Sequence, residues 1–386
     1  MRISTKSFQM QWLSNFNSRQ VDLTEIQRQV STGRRIATAA DDPAGAAQAT
    51  LLQQSLDRLA NFERSADTAR RRLAIEESVL DKVTNSLDRV RELTIQANNG
   101  KLDQGSREAI AAEAEEILAG ILGLSNTQDG EGRYIFAGNR VKTQPFSESG
   151  GSIVYNGDDG VRLERIGDRR TVAEGHPGSE VFGAIRDGNG TYSIKPGAGN
   201  SGTAYYQNPT VTDPSAWIVD NYTITFTAPN AYEVTDGGGG IIASGAFARG
   251  DTINFNGAAI VIEGDPAAGD TFDIEPSRYQ SMFDTVQNFV DALRQGTELN
   301  STLLDLDRAL ENVSNVRSAV GSRLSVIDEQ GDTNEELTIQ LRQTLSGIQD
   351  VDLASAISTL QQQLTSLEAA QKVFAQTSQL SLFRVL

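Results

Sequence analysis

The sequence predicts a mainly α-helical chain with a β-rich insert, and the placement of proline, glycine and leucine is the basis of this prediction. Eight of the nine prolines and 22 of the 35 glycines fall between residues 145 and 276 of the 386-residue chain. Residues 44–144 and 277–386 contain no proline, as long helices require. In both of these flanks apolar residues recur every seven positions, which is typical of helices packed in a bundle or coiled coil.

The first predicted helix lies at the N-terminus, where apolar residues of the first 31 positions form a single helical stripe. Its members are Phe8, Trp12, Phe16, Leu23, Ile26 and Val30. Successive members are three, four or seven residues apart, which places them on one face of an α-helix.

A second, long helix is expected from about Ala44 to Asn98. Asp41-Asp42-Pro43 supplies an acidic cap and a first-turn proline, and Asn98-Asn99-Gly100 tolerates the left-handed backbone that ends helices. At 1.5 Å per residue this helix is about 80 Å long and forms a rod. One heptad row consists of Leu52, Leu59, Ala66, Leu73, Leu80 and Leu87, and the other of Phe62, Ala69, Val83, Val90 and Ala97, with Glu76 as its one charged member.

Shorter elements follow. A third helix is predicted from Ser106 to Leu124, with Ser106 as its N-cap. Residues 133–136 and 153–155 are β-rich and predict a hairpin on the helical frame. The runs 222–227, 253–255 and 259–262 are β-branched or aromatic and lie between turn residues, so they predict a small β domain.

The C-terminal flank repeats the heptad pattern and changes its register after Asp350. Because a single amphipathic helix needs a partner face, the two flanks are expected to pack against each other. Before Asp350 the rows are Leu303, Leu310 and Leu324, which Arg317 interrupts, and Leu306, Val313, Val320 and Ile327. After it they are Leu353, Leu360, Leu367 and Phe374, and Ile357 and Leu364.

Composition excludes several classes of function. The chain has no cysteine and one histidine, His176, which excludes disulfides, thiolate sites and multi-histidine metal sites, and no cofactor is predicted. A net charge of −17 argues against a nucleic-acid partner. No apolar run approaches 18 residues, so membrane insertion is not predicted. The N-terminus lacks the apolar stretch of a secretory signal peptide, and none is expected.

Five local motifs are interpreted structurally rather than as active sites. Gly237 to Gly240 and Asp158-Asp159 predict turns, and Arg249-Gly250-Asp251 predicts a hairpin turn in preference to an adhesive site. Arg70-Arg71-Arg72 falls beside the apolar seam and is expected to face water. His176 lies in a predicted loop with no carboxylate motif nearby, which is a poor basis for catalysis.

Both ends of the chain are apolar, although chain termini are normally polar and frayed. The N-terminal stripe named above is matched at the C-terminus by the rows after Asp350 and by Leu380, Leu382 and Phe383. Apolar surfaces of this kind mark sites for partners, so the two end segments are predicted to form an assembly interface. A polymer subunit has a use for such ends, whereas a monomeric enzyme has none.

Several segments resemble the bacterial flagellin family, and more closely its hook-associated members than flagellin itself. Coverage is roughly residues 1–180 and 277–386. The segments are Met1-Arg2-Ile3-Ser4-Thr5, Ser31-Thr32-Gly33-Arg34-Arg35-Ile36 followed by Asp41-Asp42-Pro43-Ala44-Gly45, Gly132-Arg133-Tyr134-Ile135-Phe136-Ala137-Gly138 followed by Pro145-Phe146, and Leu367-Glu368-Ala369-Ala370-Gln371 through Leu380-Ser381-Leu382-Phe383.

The resemblance implies three layers. Residues 1–43 and 350–386 would form an inner assembly domain, residues 44–182 and 277–349 a helical rod with a hairpin, and residues 183–276 an outer β-rich domain. Charge supports an outward-facing insert, because residues 150–276 hold 17 acidic and 7 basic side chains.

The resemblance also implies a function, namely a structural, non-enzymatic subunit at the hook–filament junction of the flagellum. Partners would be hook-associated protein 1, flagellin, identical subunits in a ring and a flagellar export chaperone. The subunit would be secreted through the flagellar export channel without a cleaved signal peptide. Three alternatives stay open: flagellin itself, a self-assembling coiled-coil surface protein, and an enzyme with its site in the β insert, which the lack of a recognisable catalytic motif disfavours.

Overall fold

The computed structural model describes residues 5–98, 102–296 and 299–382, and it confirms the predicted fold class of helical flanks around a β-rich insert. Of residues 5, 6, 8, 9 and 377–382 it describes the backbone alone. The helices are α1 Thr5–Thr32, α2 Pro43–Asn98, α3 Gln104–Ser125, α4 Met282–Gln295, α5 Asn300–Gln349 and α6 Leu353–Leu382. A short π-helical turn covers Ser179–Gly183.

The strands all pair in antiparallel fashion. They are β1 Phe146–Ser149, β2 Ser152–Tyr155, β3 Leu163–Arg165, β4 Thr171–Ala173, β5 Ile185–Arg186, β6 Tyr192–Pro196, β7 Tyr205–Val211, β8 Tyr222–Ala228, β9 Ala231–Thr235, β10 Ile241–Ala246, β11 Thr252–Phe255, β12 Ala258–Glu263, β13 Thr271–Pro276 and β14 Tyr279–Gln280. The chain divides into two compact units, one of residues 65–329 and one of residues 1–64 with 330–386.

Residues 65–329 contain a helical bundle built as the heptad rows predict. Ion pairs from Arg70 to Asp328 and from Arg91 to Asp307 show that α2 and α5 run antiparallel. Arg317, which interrupts a heptad row, pairs with Glu77 of α2 at 2.7 Å. One row of each helix is fully buried in a common core, namely Ala66, Leu73, Leu80 and Leu87 of α2 and Leu306, Val313, Val320 and Ile327 of α5, and Leu310 and Leu324 are partly buried against it.

Helix α3 and the hairpin correct two predictions. The N-cap of α3 is Asp103 and not Ser106, because the Asp103 side chain accepts a hydrogen bond from the Ser106 N–H at 2.7 Å. The hairpin consists of β1 and β2, joined by Gly150 and Gly151, whose φ values of 63° and 85° suit a two-residue turn. Residues 133–136 do not form a strand, so this part of the hairpin prediction is wrong. Ile135 and Phe136 are apolar because they are buried in the helical core.

The predicted strands are confirmed in a β-sandwich, the name used below for Tyr192–Pro276 (strands β6 to β13). A five-stranded sheet of order β10-β9-β8-β13-β6 and a three-stranded sheet of order β11-β12-β7 share one apolar core. The tetraglycine forms the predicted turn, in which the Asp236 carboxylate accepts from the Gly238 and Gly240 N–H groups. Residues 249–251 connect β10 to β11, which lie in different sheets, so the predicted hairpin turn there is wrong.

Candidate assembly surface

The two terminal helices pack against each other within one chain. The Trp12 ring stacks on Phe374, with ring centroids 3.8 Å apart, and on Phe16 at 5.1 Å. Further along, the Arg19 guanidinium donates to the Ser366 hydroxyl. Since position 12 meets position 374 and position 19 meets position 366, α1 and α6 are antiparallel. Isolated helices are marginal in water, so this pairing supplies each helix with a partner face.

Two turns hold the base of this helix pair together. The Arg35 N–H donates to the Gln349 carbonyl at 2.7 Å, and the Val351 N–H donates to the Gly33 carbonyl at 3.0 Å. The Arg35 guanidinium also donates to the Ile348 carbonyl at 2.7 Å. These bonds fix the turn after α1 to the turn between α5 and α6, which begins at the predicted change of register.

Asp41 organises the turn that precedes α2. Its carboxylate accepts from the N–H groups of Thr38 at 2.8 Å and Ala37 at 3.0 Å, and it pairs with Arg28 at 2.9 Å. The Thr38 hydrogen bond first, and then the Arg28 side chain, lower the pKa of Asp41 to about 2. The turn is therefore stabilised by an ionised carboxylate.

Asp42 is the predicted acidic cap of α2, and the structure confirms it, since its carboxylate accepts from the Gly45 N–H at 2.9 Å. Position 45 is closely surrounded by the side chains of Ile36 and Asp42. A Cβ there would lie 2.6 Å from Cδ1 of Ile36 and 2.5 Å from Oδ2 of Asp42. A larger residue at position 45 would therefore have to displace the side chains of Ile36 and Asp42.

The predicted interface residues fall into three groups. Most are half-buried: Trp12, Phe16, Leu23, Ile26, Val30, Leu360, Leu367 and Phe374. A second group, Leu353, Ile357 and Leu364, is 40–48% exposed and forms one stripe along α6. The side chains of Phe8, Leu380 and Leu382, and the whole of Phe383, lie outside the described residues.

Sequence reasoning missed a second apolar stripe on α1. Met10, Leu13 and Val21 are 59%, 53% and 68% exposed. At 3.6 residues per turn they lie about 100° to 180° around the helix from Trp12. Plotting α1 on a helical wheel would have revealed them. A helix that is apolar on opposite faces is normally buried on both, which marks this face as one that needs a further partner.

A buried polar network in residues 65–329 corrects two further predictions. Arg72 does not face water, because it is 4% exposed and lies 3.5 Å from both Asp129 and Glu174. His176 does have a nearby carboxylate, since its Nδ1 lies 2.7 Å from Oε1 of the buried Glu76. Burial lowers the pKa of the Arg72 guanidinium, and Glu174 opposes that shift. The network ties the loop at 174–176 to α2.

Two other kinds of site are absent from the described residues. Within residues 5–98, 102–296 and 299–382, no three His, Asp or Glu side chains are grouped so that they could hold a metal ion. Nor does any helix in the described part of the chain have the length and apolar character needed to cross a membrane.

Comparison with known proteins identifies the helical flanks of the chain as the part shared with a family. The family model of the bacterial flagellin N-terminal helical region matches residues 3–141, and that of the C-terminal helical region matches residues 303–386. The chain is 26% identical over 385 residues to flagellar hook-associated protein 3 of Salmonella typhimurium, which covers 100% of this chain and 99% of that protein.

The extent of the similarity differs between a hook-associated protein of known structure and a flagellin. The crystal structure of flagellar hook-associated protein 3 from Legionella pneumophila matches with a TM-score of 0.74 and 32% identity, over 78% of this chain and 98% of that one. A flagellin of Salmonella budapest is 25% identical over 283 residues, covering 68% of this chain and 56% of that protein. The similarity is therefore complete for the hook-associated protein and partial for flagellin.

Proposed function

The chain belongs to the bacterial flagellin family, and from that premise we propose that it is the structural subunit that joins hook to filament. The observation that carries the proposal is the full-length similarity to hook-associated protein 3, which extends through the β-rich middle of the chain. The similarity to flagellin covers 56% of the flagellin compared. A junction role is therefore favoured over a filament role.

The exposed stripes suit a subunit that is completed by its neighbours. Met10, Leu13 and Val21 on α1, and Leu353, Ile357 and Leu364 on α6, are apolar and uncovered in one chain. We assign these faces to identical subunits of a ring. The half-buried α1–α6 face then belongs to the subunit itself, and the exposed faces belong to the assembly.

The remaining partners follow from a position at the junction. Hook-associated protein 1 would lie on one side of the ring and flagellin on the other. An export chaperone would bind the C-terminal helices beforehand, covering the apolar stripe of α6 until assembly. Export would proceed without a cleaved signal peptide. The domain scheme of residues 1–43 with 350–386, 44–182 with 277–349, and 183–276 is part of this proposal, and the role it assigns to the chain is structural.

A deletion strain tests the function directly. Electron microscopy of cells that lack this chain should show hooks without filaments, and flagellin should appear in the medium. The wild-type sequence should restore filaments when it is supplied in trans. Hooks that carry normal filaments in the deletion strain would contradict the junction role. If the deletion strain lacks filaments and also releases no flagellin into the medium, the filament role would be favoured instead.

A matched pair of variants tests the assembly face. Leu13→Asp places a charge on the exposed apolar stripe of α1, and it should fail to restore filaments although the chain is exported. Asn15→Asp adds the same charge at a neighbouring exposed polar position and should restore them. Equal restoration by both variants would overturn the assignment of this face to neighbouring subunits.

A further inference from the structure

The β-sandwich is joined to the helical bundle by two short segments, residues 184–191 and 277–281, which are called the neck below. Their strands pair as β5 with β14. The Asp187 N–H donates to the Arg278 carbonyl at 3.0 Å, and the Arg278 N–H donates back to the Asp187 carboxylate at 2.7 Å. Ser277 donates its hydroxyl to the Asp187 carbonyl at 2.8 Å. The neck is therefore a defined structure and not a flexible linker.

One side chain of α5 holds the neck on the bundle. Oδ1 of Asp305 accepts a hydrogen bond from the Gly188 N–H at 2.7 Å. Gly188 has a φ of 60°, and a Cβ there would lie 2.3 Å from the Tyr192 carbonyl oxygen, so glycine is the residue that fits where this bond is made. The preceding residue, Leu304, packs against the core of the β-sandwich. Positions 304 and 305 thus join α5 to the β-sandwich by an apolar contact and to the neck by a hydrogen bond.

The charged side chains around Asp305 do not provide its carboxylate with a cationic partner of its own. Asp187, in the neck, disfavours a second negative charge nearby. Lys195 of β6 favours the ionised carboxylate, but its ammonium is already 3.1 Å from Glu275. On α5 itself, Arg308 pairs with Glu311. The Gly188 N–H and the side chain of Gln280 are the remaining groups that favour the ionised form.

We propose that Asp305 makes the attachment of the β-sandwich to the helical bundle sensitive to pH, so that the neck is held more tightly in mild acid than at neutral pH. Burial, as the largest cause, raises the pKa of Asp305 to about 6 from an ordinary value of 3.8. The neutral acid is therefore the form that the closed seat prefers. When the neck opens, water reaches the carboxyl and its pKa returns toward the ordinary value.

The direction in which pH changes the closing of the neck follows from proton binding. The closed seat binds a proton more tightly than the open one, so closing is favoured as the pH falls through about 6. The gain is complete near the ordinary value of 3.8 and is absent above neutral pH. For these two pKa values, proton linkage gives a roughly ten-fold shift in the closed-to-open ratio between pH 7 and pH 5.

Hydrogen exchange of the full chain, corrected for the intrinsic pH dependence of exchange, measures this shift at the neck amides. In the wild type, exchange of residues 184–191 and 277–281 should be roughly ten-fold slower at pH 5 than at pH 7, relative to intrinsic rates. Asp305→Asn carries a neutral amide that still accepts from the Gly188 N–H. It should give the slow rate at both pH values.

Asp307→Asn is the matched control, because Asp307 is exposed and pairs with Arg91 rather than with the neck. It should behave as the wild type.

Trp217, which stacks on Tyr192 at 5.1 Å, reports by fluorescence that the β-sandwich stays folded in every variant. The proposal is overturned if wild-type exchange at the neck is independent of pH, if Asp305→Asn keeps the wild-type pH dependence, or if Asp305→Asn exchanges faster than the wild type at both pH values.

Discussion

The helices of the bundle and the paired terminal helices have the same heptad pattern but very different degrees of burial. In the bundle, Leu73, Leu80 and Leu87 are completely buried. In the terminal pair, Leu360 and Leu367 are half-buried, and Leu353 is 48% exposed. The periodicity of a sequence therefore predicts which residues form an interface, but it does not predict how many partner faces one chain supplies. The bundle is complete in a single chain, and the terminal pair is not.

The largest expected effect that tests this contrast is on assembly. Leu360→Asp places a carboxylate in the apolar face of α6, where several kcal/mol of desolvation cost in a dry interface should prevent attachment. The bundle should keep its wild-type unfolding midpoint. Filament attachment in cells and urea unfolding followed by circular dichroism measure the two effects. Gln361→Asp, at the next exposed position, is the control, and failure of both variants to attach would show that charge anywhere on α6 is disruptive.

The complementary change lies in the bundle. Leu80→Ala removes a fully buried side chain and should lower the free energy of unfolding by about 2–5 kcal/mol, since the cavity is closed on all sides. Leu51→Ala, at a position that is 64% exposed, should change it by less than about 0.5 kcal/mol. Both are measured by urea denaturation of the full chain. Similar losses at the two positions would show that burial in the bundle core is not what makes Leu80 important.

Much of the fold could be predicted from the sequence because its signals are local. The start of α2 at Pro43, the break between α5 and α6 near Asp350, and the strands around 222–227 and 253–262 depend on residues within one or two turns. The heptad pattern does not distinguish helix α4 as a separate helix within the helical segment 277–349. Its signal was present, since Ser281 and Asp284 form a capping box.

The buried polar network could not be predicted, and the reason is sequence distance. His176 and Glu76 are 100 positions apart, and Arg72 reaches Glu174 across a similar separation. Glu76 did stand out as a charge in an apolar row, but nothing local identifies its partner. The exposed stripe of α1 differs, because Met10, Leu13 and Val21 were recognisable from helical spacing alone.

A smaller effect is expected at the turn before α2. Gly45→Ala forces a Cβ to within 2.6 Å of Ile36 Cδ1, and it should destabilise the turn by about 1–3 kcal/mol. Faster hydrogen exchange of residues 33–45 would report this loss. Gly120→Ala is the matched control, because a Cβ at that position of α3 has nothing within 4 Å and alanine favours helices by up to about 1 kcal/mol. If both variants exchange alike in the turn, steric fit at Gly45 is not what holds it.

The smallest effect concerns Asp41, which stabilises the same turn through charge. Its pKa is lowered from 3.8 to about 2, so its contribution is fully present above pH 4 and is lost as the pH falls through about 2. Asp41→Asn removes the ion pair with Arg28 while keeping an acceptor for the Thr38 N–H. The variant should therefore exchange its turn amides slightly faster than the wild type at pH 5, and the difference should disappear near pH 2. Asp22→Asn, at an exposed position of α1, should match the wild type throughout. A wild-type advantage that persists unchanged at pH 2 would mean that the ionised carboxylate is not its source. The turn would then be held by steric fit at Gly45 and by its backbone hydrogen bonds.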